Sequence, residues 1–266
     1  MPAERVIFCG IPFDEHSSWM RGPAKAPKAI RKVMKSGSSN LCSENGTDLE
    51  EGNRLFDAGD INIKSGEAYP EGIQNEIEIL LKENQPLLVL GGDHSITYPV
   101  IRAYSKKFND LNILHIDAHS DLYDSFDDNP YSHASPFARI MEEKLVKRLV
   151  QAGIRTLNPH QREQAEKFGV EIIEMHEFKK ALDIQFDGPV YLSLDLDAFD
   201  PAYAPGVSHL EPGGMSIRDV IGLIRNLHIN LIGADIVELN PDRDVNSVTA
   251  MVAFKMLKEI AAKMVG

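Results

Sequence analysis

Three acidic clusters each close an apolar run, and a folded chain can accommodate that pattern in few ways. Gly91-Gly92-Asp93-His94 follows Leu87–Leu90, and Asp117-Ala118-His119-Ser120-Asp121 follows Leu111–Ile116. The third cluster, Asp195-Leu196-Asp197-Ala198-Phe199-Asp200-Pro201, follows Val190–Leu194. Short apolar runs of this kind read as buried strands. Unpaired charge at the end of a buried strand costs several kcal/mol or forces neutralisation. If the three clusters converge, the simplest partner is a metal ion.

The rest of the chain supplies a fold in which they do converge. Strands are expected at Arg5–Cys9, Leu87–Leu90, Leu111–Ile116, Leu149–Ile154, Val170–Ile173, Val190–Leu196 and Leu231–Leu239. Helical patterns fall at Ala26–Val33, Gly72–Glu83, Tyr98–Lys107, Pro136–Glu143, Pro159–Lys167, Ile217–Leu227 and Asn246–Val265. Ser135 before Pro136, and Ser216 before an acidic first turn at Asp219, carry capping signals. Near-continuous apolar strands alternating with helices predict an α/β fold, a three-layer αβα sandwich around a mostly parallel sheet. In such sheets ligands bind beyond the carboxyl ends of the strands, where all three clusters lie. No linker, repeat or low-complexity tract divides residues 1–266, so a single catalytic domain is expected. The stretch Ser36–Arg54 reads as irregular surface.

Charge and cysteine usage narrow the class. The net charge of −12 disfavours nucleic acid and anionic membranes as partners and is compatible with a cationic substrate. Cys9 and Cys42 are too few for a disulfide framework or a Cys-based zinc site. The first ten residues lack the charged start and apolar core of a signal peptide. No apolar run approaches the roughly 20 residues that span a bilayer. A soluble, cytoplasmic chain is expected.

In an extended segment Asp117, His119 and Asp121 would point to one side, and Asp195 and Asp197 would repeat that geometry. With His94 they make six candidate ligands, more than one open catalytic ion needs, so two ions are the natural count. Oxygen-rich ligation with some imidazole favours Mn²⁺, with Fe²⁺, Co²⁺ and Zn²⁺ left open. Two ions about 3.5–4 Å apart would share a bridging hydroxide formed near neutral pH, which points to hydrolysis.

Blander readings apply to several neighbours. Asp200 before Pro201 reads as a helix N-cap, and Asp93 as a carboxylate satisfying buried amides. His115, His160, His176 and His228 read as core or hydrogen-bonded residues. His133, just before a helix, is either a proton shuttle or a helix-start hydrogen bonder. Glu238, closing the run from Gly233, either pairs with a guanidinium or serves a structural arginine such as Arg243.

Together these segments resemble the ureohydrolase family, the arginases and agmatinases. Gly91–Ser95, Asp117–Asp121 and Ser193–Pro201 match its three signature motifs in order and spacing. The likeness extends through Gly10–Phe13, Arg21–Arg31, Tyr131–Ile140 and Ala204–Gly214. Ser36–Asn40, Tyr131–Ser135 and the C-terminal stretch from Thr249 are most similar to plant-type arginases. Those enzymes carry an organelle-targeting leader, so this chain looks like a leaderless microbial relative.

The resemblance implies an arginase-like fold and a binuclear Mn²⁺ hydrolase that releases urea from a small cationic guanidino substrate. One ion would be held by His94, Asp117, Asp121 and Asp195. The other would be held by His119, Asp117, Asp195 and Asp197. A metal-bridging hydroxide would attack the guanidinium carbon, Asp121 would relay its proton, His133 would assist the departing amine, and Glu238 would hold the guanidinium. Tyr123 stands where animal-type arginases carry an Asn, and the loop Leu122–Ser132 is one residue shorter. Asn129 and Ser132 would then meet the substrate's head group. Arginine is favoured, with agmatine or 4-guanidinobutyrate as alternatives.

Two-metal phosphoesterases normally carry an Asn-His segment, and the related metal-dependent deacetylases a His-His pair; neither dipeptide occurs here. A non-catalytic metal-binding relative would be expected to lose ligands, yet all six are present. A homo-oligomer, trimer or hexamer, is implied by the resemblance. The apolar positions Met251, Phe254, Met256, Leu257 and Ile260 fit either core or interface.

Overall fold

Short β-branched runs become strands, and the 3.6-residue patterns between them become helices. In the computed structural model, which describes residues 3–62 and 68–266, the strands are β1 (Val6–Gly10), β2 (Leu55–Asp60), β3 (Leu87–Leu90), β4 (Asn112–Ile116), β5 (Arg148–Ile154), β6 (Glu171–Glu174), β7 (Pro189–Asp195) and β8 (Asn230–Val237). The helices are α1 (Ala26–Met34), α2 (Glu71–Leu80), α3 (Thr97–Lys107), α4 (Pro136–Glu142), α5 (Pro159–Phe168), α6 (Ile217–Asn226) and α7 (Val248–Val265). The strands form one sheet in the order β2-β1-β3-β8-β7-β4-β5-β6. Every pairing in it is parallel.

Alternate residues of the inner strands feed two separate cores. Val6, Phe8, Leu88, Leu90, Leu114, Ile116, Leu192 and Leu194 pack with α1, α6 and α7. Ile7, Cys9, Leu87, Val89, Ile113 and Tyr191 pack with α2, α3, α4 and α5. The result is a three-layer αβα sandwich. Each fully buried aliphatic side chain contributes about 1.5–3 kcal/mol. Phe254, Met256, Leu257 and Ile260 of α7 lie in the first of these cores, which settles their role within the chain.

Two expectations need correction. Strand β2 was not anticipated: it is an edge strand with only Leu55 buried, so it shows no apolar alternation. Ser135 does not cap α4, because its ψ of 0° turns the hydroxyl away from the first-turn amides. Ser216 does cap α6, in a box with Asp219, from an extended ψ of 161°.

The topology decides where the acidic clusters meet. β3, β8, β7 and β4 are neighbours in the middle of the sheet. Leu90, Ile236, Leu194 and Ile116 stand at one level across these strands. The clusters and Glu238 emerge just beyond that row, on one rim. Gly92 is where the rim is tied together: its carbonyl accepts the Glu238 amide, and the Asp93 amide beside it donates to Phe13. A Cβ at Gly92 would collide with the Phe13 carbonyl. Gly92→Ala should therefore lower stability by about 1–3 kcal/mol, read as an earlier urea midpoint; an unchanged midpoint would show that this close approach is not required.

Candidate metal centre

One backbone device recurs at all three clusters. The Asp93 carboxylate accepts the Ser95 amide at 3.1 Å, Asp117 accepts the His119 amide at 2.6 Å, and Asp195 accepts the Asp197 amide at 2.7 Å. Each aspartate thus folds the chain back two residues on, as Asx turns do. This replaces the extended zigzag expected from the alternation. Asp117 lies just past β4, Asp121 takes a left-handed φ of 50°, and Asp197 sits in a 3-10 turn. The side chains converge because the chain turns, not because it runs straight.

Convergence is tight around His94. Its Nδ1 lies 3.1 Å from Oδ2 of each of Asp117, Asp121 and Asp195. It is buried and makes no geometrically sound hydrogen bond. His119 Nδ1 lies 3.0 Å from Asp197 and 3.6 Å from Asp117. All six candidate ligands therefore meet in one place, and only His119 is appreciably exposed.

The electrostatics are those of a site built for a cation. Burial, reinforced by Asp197 and Asp117, holds the Asp195 carboxyl well above the ordinary carboxylate range. Burial, partly offset by His119 and reinforced by Asp117, pushes Asp197 to about 6. Burial resists charge on His94 and His119, yet the surrounding carboxylates raise both well above an ordinary imidazole. The cluster is short of positive charge, and the lone pair of His94 Nδ1 points among three carboxylate oxygens. Two oxygen-rich, imidazole-containing ligand sets fit divalent ions there.

Behind these residues lies a polar row of which sequence reasoning marked only His115, as a core or hydrogen-bonded residue. Asp235, Ser193, His115 and Gln151 are register partners across β8, β7, β4 and β5. Ser193 Oγ donates to Asp235 at 2.7 Å and faces His94 Nε2 at 2.9 Å. Asp235 also accepts from Thr97 at 2.8 Å and Tyr191 at 2.9 Å. With the Ser193 proton given to Asp235, His94 Nε2 carries its own hydrogen and Nδ1 is left as the free lone pair. A signal existed: Ser193 and His115 stand two residues before Asp195 and Asp117, on the same strand face.

A cavity of about 230 Å³ opens over the centre, lined by Ser18, His133, His209, Glu211 and Glu238 besides the ligands. His133 Nδ1 is 2.8 Å from Glu238 Oε1, which also accepts the His94 amide at 2.8 Å. Glu238 therefore serves no structural arginine. His133 Nε2 meets Ser18 Oγ at 2.8 Å, and His119 Nε2 lies 3.8 Å from Glu211. Ser18, His209 and Glu211 come from loops without periodicity, and nothing local in the sequence marks them. Asn129 and Ser132 are not brought to the cavity wall: Asn129 contacts His16 at 3.1 Å, and the Ser132 hydroxyl accepts the Ala134 amide at 3.3 Å. Tyr123 does line it, its hydroxyl accepting from Asn158 at 2.6 Å.

Among the blander readings, Asp93 does satisfy buried groups, accepting from His16, Ser17 and Ser95. His115 is buried and hydrogen-bonded, whereas His160 Nε2 lies 3.2 Å from Asp124 without making a hydrogen bond. Asp200 caps no helix: it accepts the Ala202, Gly213 and Gly214 amides and pins a loop. His176 and His228 are exposed, because each falls in a connection at the sheet's margin.

The Arginase family model matches residues 4–262. The mitochondrial Arginase 1 of Arabidopsis thaliana is 46% identical over 96% of this chain and 79% of its own length. An agmatinase of Blochmanniella floridana is 35% identical over 93% of this chain and 84% of its own. The solved structure of the arginase from Medicago truncatula matches with a TM-score of 0.92 at 42% identity, covering 99% of this chain and 88% of that one.

The His133–Glu238 pair carries a pH signature. Although burial opposes its charge, Glu238 raises His133 from 6.5 to about 9. A raised folded-state value means that the pair's stabilisation is full below about 6.5 and is lost as pH rises through about 9. Thermal midpoints measured from pH 6 to 10 should fall across that window in the parent protein and less steeply in Glu238→Gln. Parallel curves would remove the pair from the stability of the site.

Proposed function

This chain belongs to the arginase family, and on that premise we propose that it hydrolyses L-arginine to L-ornithine and urea at a binuclear Mn²⁺ centre. It is a metal-dependent amidinohydrolase. The observation that carries the proposal is the buried His94 Nδ1 ringed by three carboxylate oxygens, beneath a cavity that also holds His133 and Glu238.

His94, Asp117, Asp121 and Asp195 would hold one ion, and His119, Asp117, Asp195 and Asp197 the other. The oxygen-rich donor set favours Mn²⁺, and among the described residues no cysteine joins the candidate metal-holding groups. Held there by these residues, a metal pair would lower the pKa of water and offset the buried negative charge. The chain's own residues do the rest. Glu238 offers a carboxylate to the flat guanidinium and orients it over the centre. Asp121 accepts the proton that the attacking water gives up. His133, charged at neutral pH through its pairing with Glu238, supplies a proton from Nε2 to the departing amine, with Ser18 steering that edge of the ring. Ornithine leaves protonated, and urea remains.

A second reading has its own support. The residues lining the cavity include Asp121, Asp195, Asp197, Glu211 and Glu238, and among the described residues no lysine or arginine. Such a wall suits agmatine, which carries a second cation and no carboxylate. Similarity to arginases at 46% identity keeps arginine ahead.

Urea release in Mn²⁺ from arginine, agmatine and 4-guanidinobutyrate separates these readings. Arginine should give the highest kcat/KM, and absence of urea from all three would sink the proposal. Asp121→Asn should cut kcat by about a hundredfold or more while leaving the fold intact by circular dichroism; full activity in that variant would remove Asp121 from proton transfer.

A further inference from the structure

We infer that His115 and Gln151 form a positioning relay that fixes the Asp117 carboxylate for metal binding. The inference rests on the metal-hydrolase reading of the centre and adds two residues to it. His115, Gln151 and Asp117 are all fully buried. His115 Nε2 lies 2.7 Å from Asp117 Oδ2, and its Nδ1 lies 3.0 Å from Gln151 Nε2. Gln151 Nε2 lies 2.7 Å from the Ser120 carbonyl oxygen.

These contacts determine one another. A backbone carbonyl can only accept, so the atom facing Ser120 must be the Gln151 nitrogen rather than its oxygen. The second hydrogen on that nitrogen points to His115 Nδ1, which must then be the acceptor. The ring therefore carries its hydrogen on Nε2 and donates it to Asp117 Oδ2. Both ring nitrogens are engaged, so His115 is not a further ligand, although its nitrogen lies within 4.8 Å of ligand atoms of His94 and Asp117. Phe137 stacks on the ring at a centroid distance of 3.9 Å and holds its plane.

The geometry also ties the relay to the turn it serves. Gln151 and His115 are register partners on β5 and β4, and Ser120 lies within the Asp117–Asp121 turn itself. The relay thus spans the turn from its fourth residue back to its first. It holds one oxygen of Asp117 by a donated hydrogen bond while the other receives the His119 amide.

The test is chelator competition on the Mn²⁺-loaded protein, with kcat and KM for arginine read beside it. His115→Phe keeps a ring against Phe137 but donates nothing; it should lose Mn²⁺ to EDTA about 10–100-fold more readily than the parent. His115→Gln carries an N–H near the reach of Nε2 and should stay within about threefold of the parent, a rescue that a purely packing role would not produce. Gln151→Leu should fall between the two, with kcat reduced more than KM is raised. Parental metal retention in folded His115→Phe, or a loss in His115→Gln as large as in His115→Phe, would overturn the relay. Should His115→Phe not fold, the remaining pair decides: Gln151→Leu must lose metal where His115→Gln keeps it, and the reverse order overturns the relay. A parent protein that binds Mn²⁺ yet releases no urea would end the guanidine-hydrolase reading, and the chelator series would still judge the relay.

Discussion

Four carboxylates and two imidazoles in mutual contact, all but His119 buried, are the constraint on which the structure turns. Left alone, they repel or must borrow protons, and Asp195 and Asp197 register that in raised pKa values. Everything nearby limits this cost. Adjacency of β3, β8, β7 and β4 brings the groups to one rim. Asx turns at Asp93, Asp117 and Asp195 give each of these carboxylates a backbone donor. The polar row beneath directs the lone pair of His94 outward. A bound cation then completes what the side chains leave unbalanced.

Much of the fold was legible because it depends on local periodicity. The apolar strands and the helices announce themselves by their spacing. β2 does not, since an edge strand with one buried residue carries almost no apolar alternation. Ser135 and Asp200 show a different limit. Both are capping residues by type, but whether they cap depends on a backbone torsion or a following helix that composition does not encode.

The convergence of the acidic clusters was legible, and their surroundings less so. Charges at the ends of buried strands are conspicuous because they are costly, whereas His133 and Glu238 stood open between functional and structural readings until the family resemblance favoured the functional one. The local geometry was misjudged at Asp117–Asp121, where turns replace an extended zigzag. Ser18, His209 and Glu211 sit on loops, where position in space is independent of sequence pattern. Ser193 could have been found as the polar residue two positions before Asp195, where His115 stands before Asp117. Asn129 and Ser132 came from the plant-type resemblance, and in the loop their side chains meet His16 and the Ala134 amide.

The row of Leu90, Ile236, Leu194 and Ile116 has a wider implication. These side chains belong to the hydrophobic core and stand one step below the rim where the acidic clusters meet. A slip of one residue between any two of their strands would turn apolar groups toward the polar face and lower one set of ligands relative to the other. Strand pairing and ligand geometry are therefore one specification. A change in this part of the core would therefore shift the rim, whereas the outer strands β2 and β6 lie away from its centre.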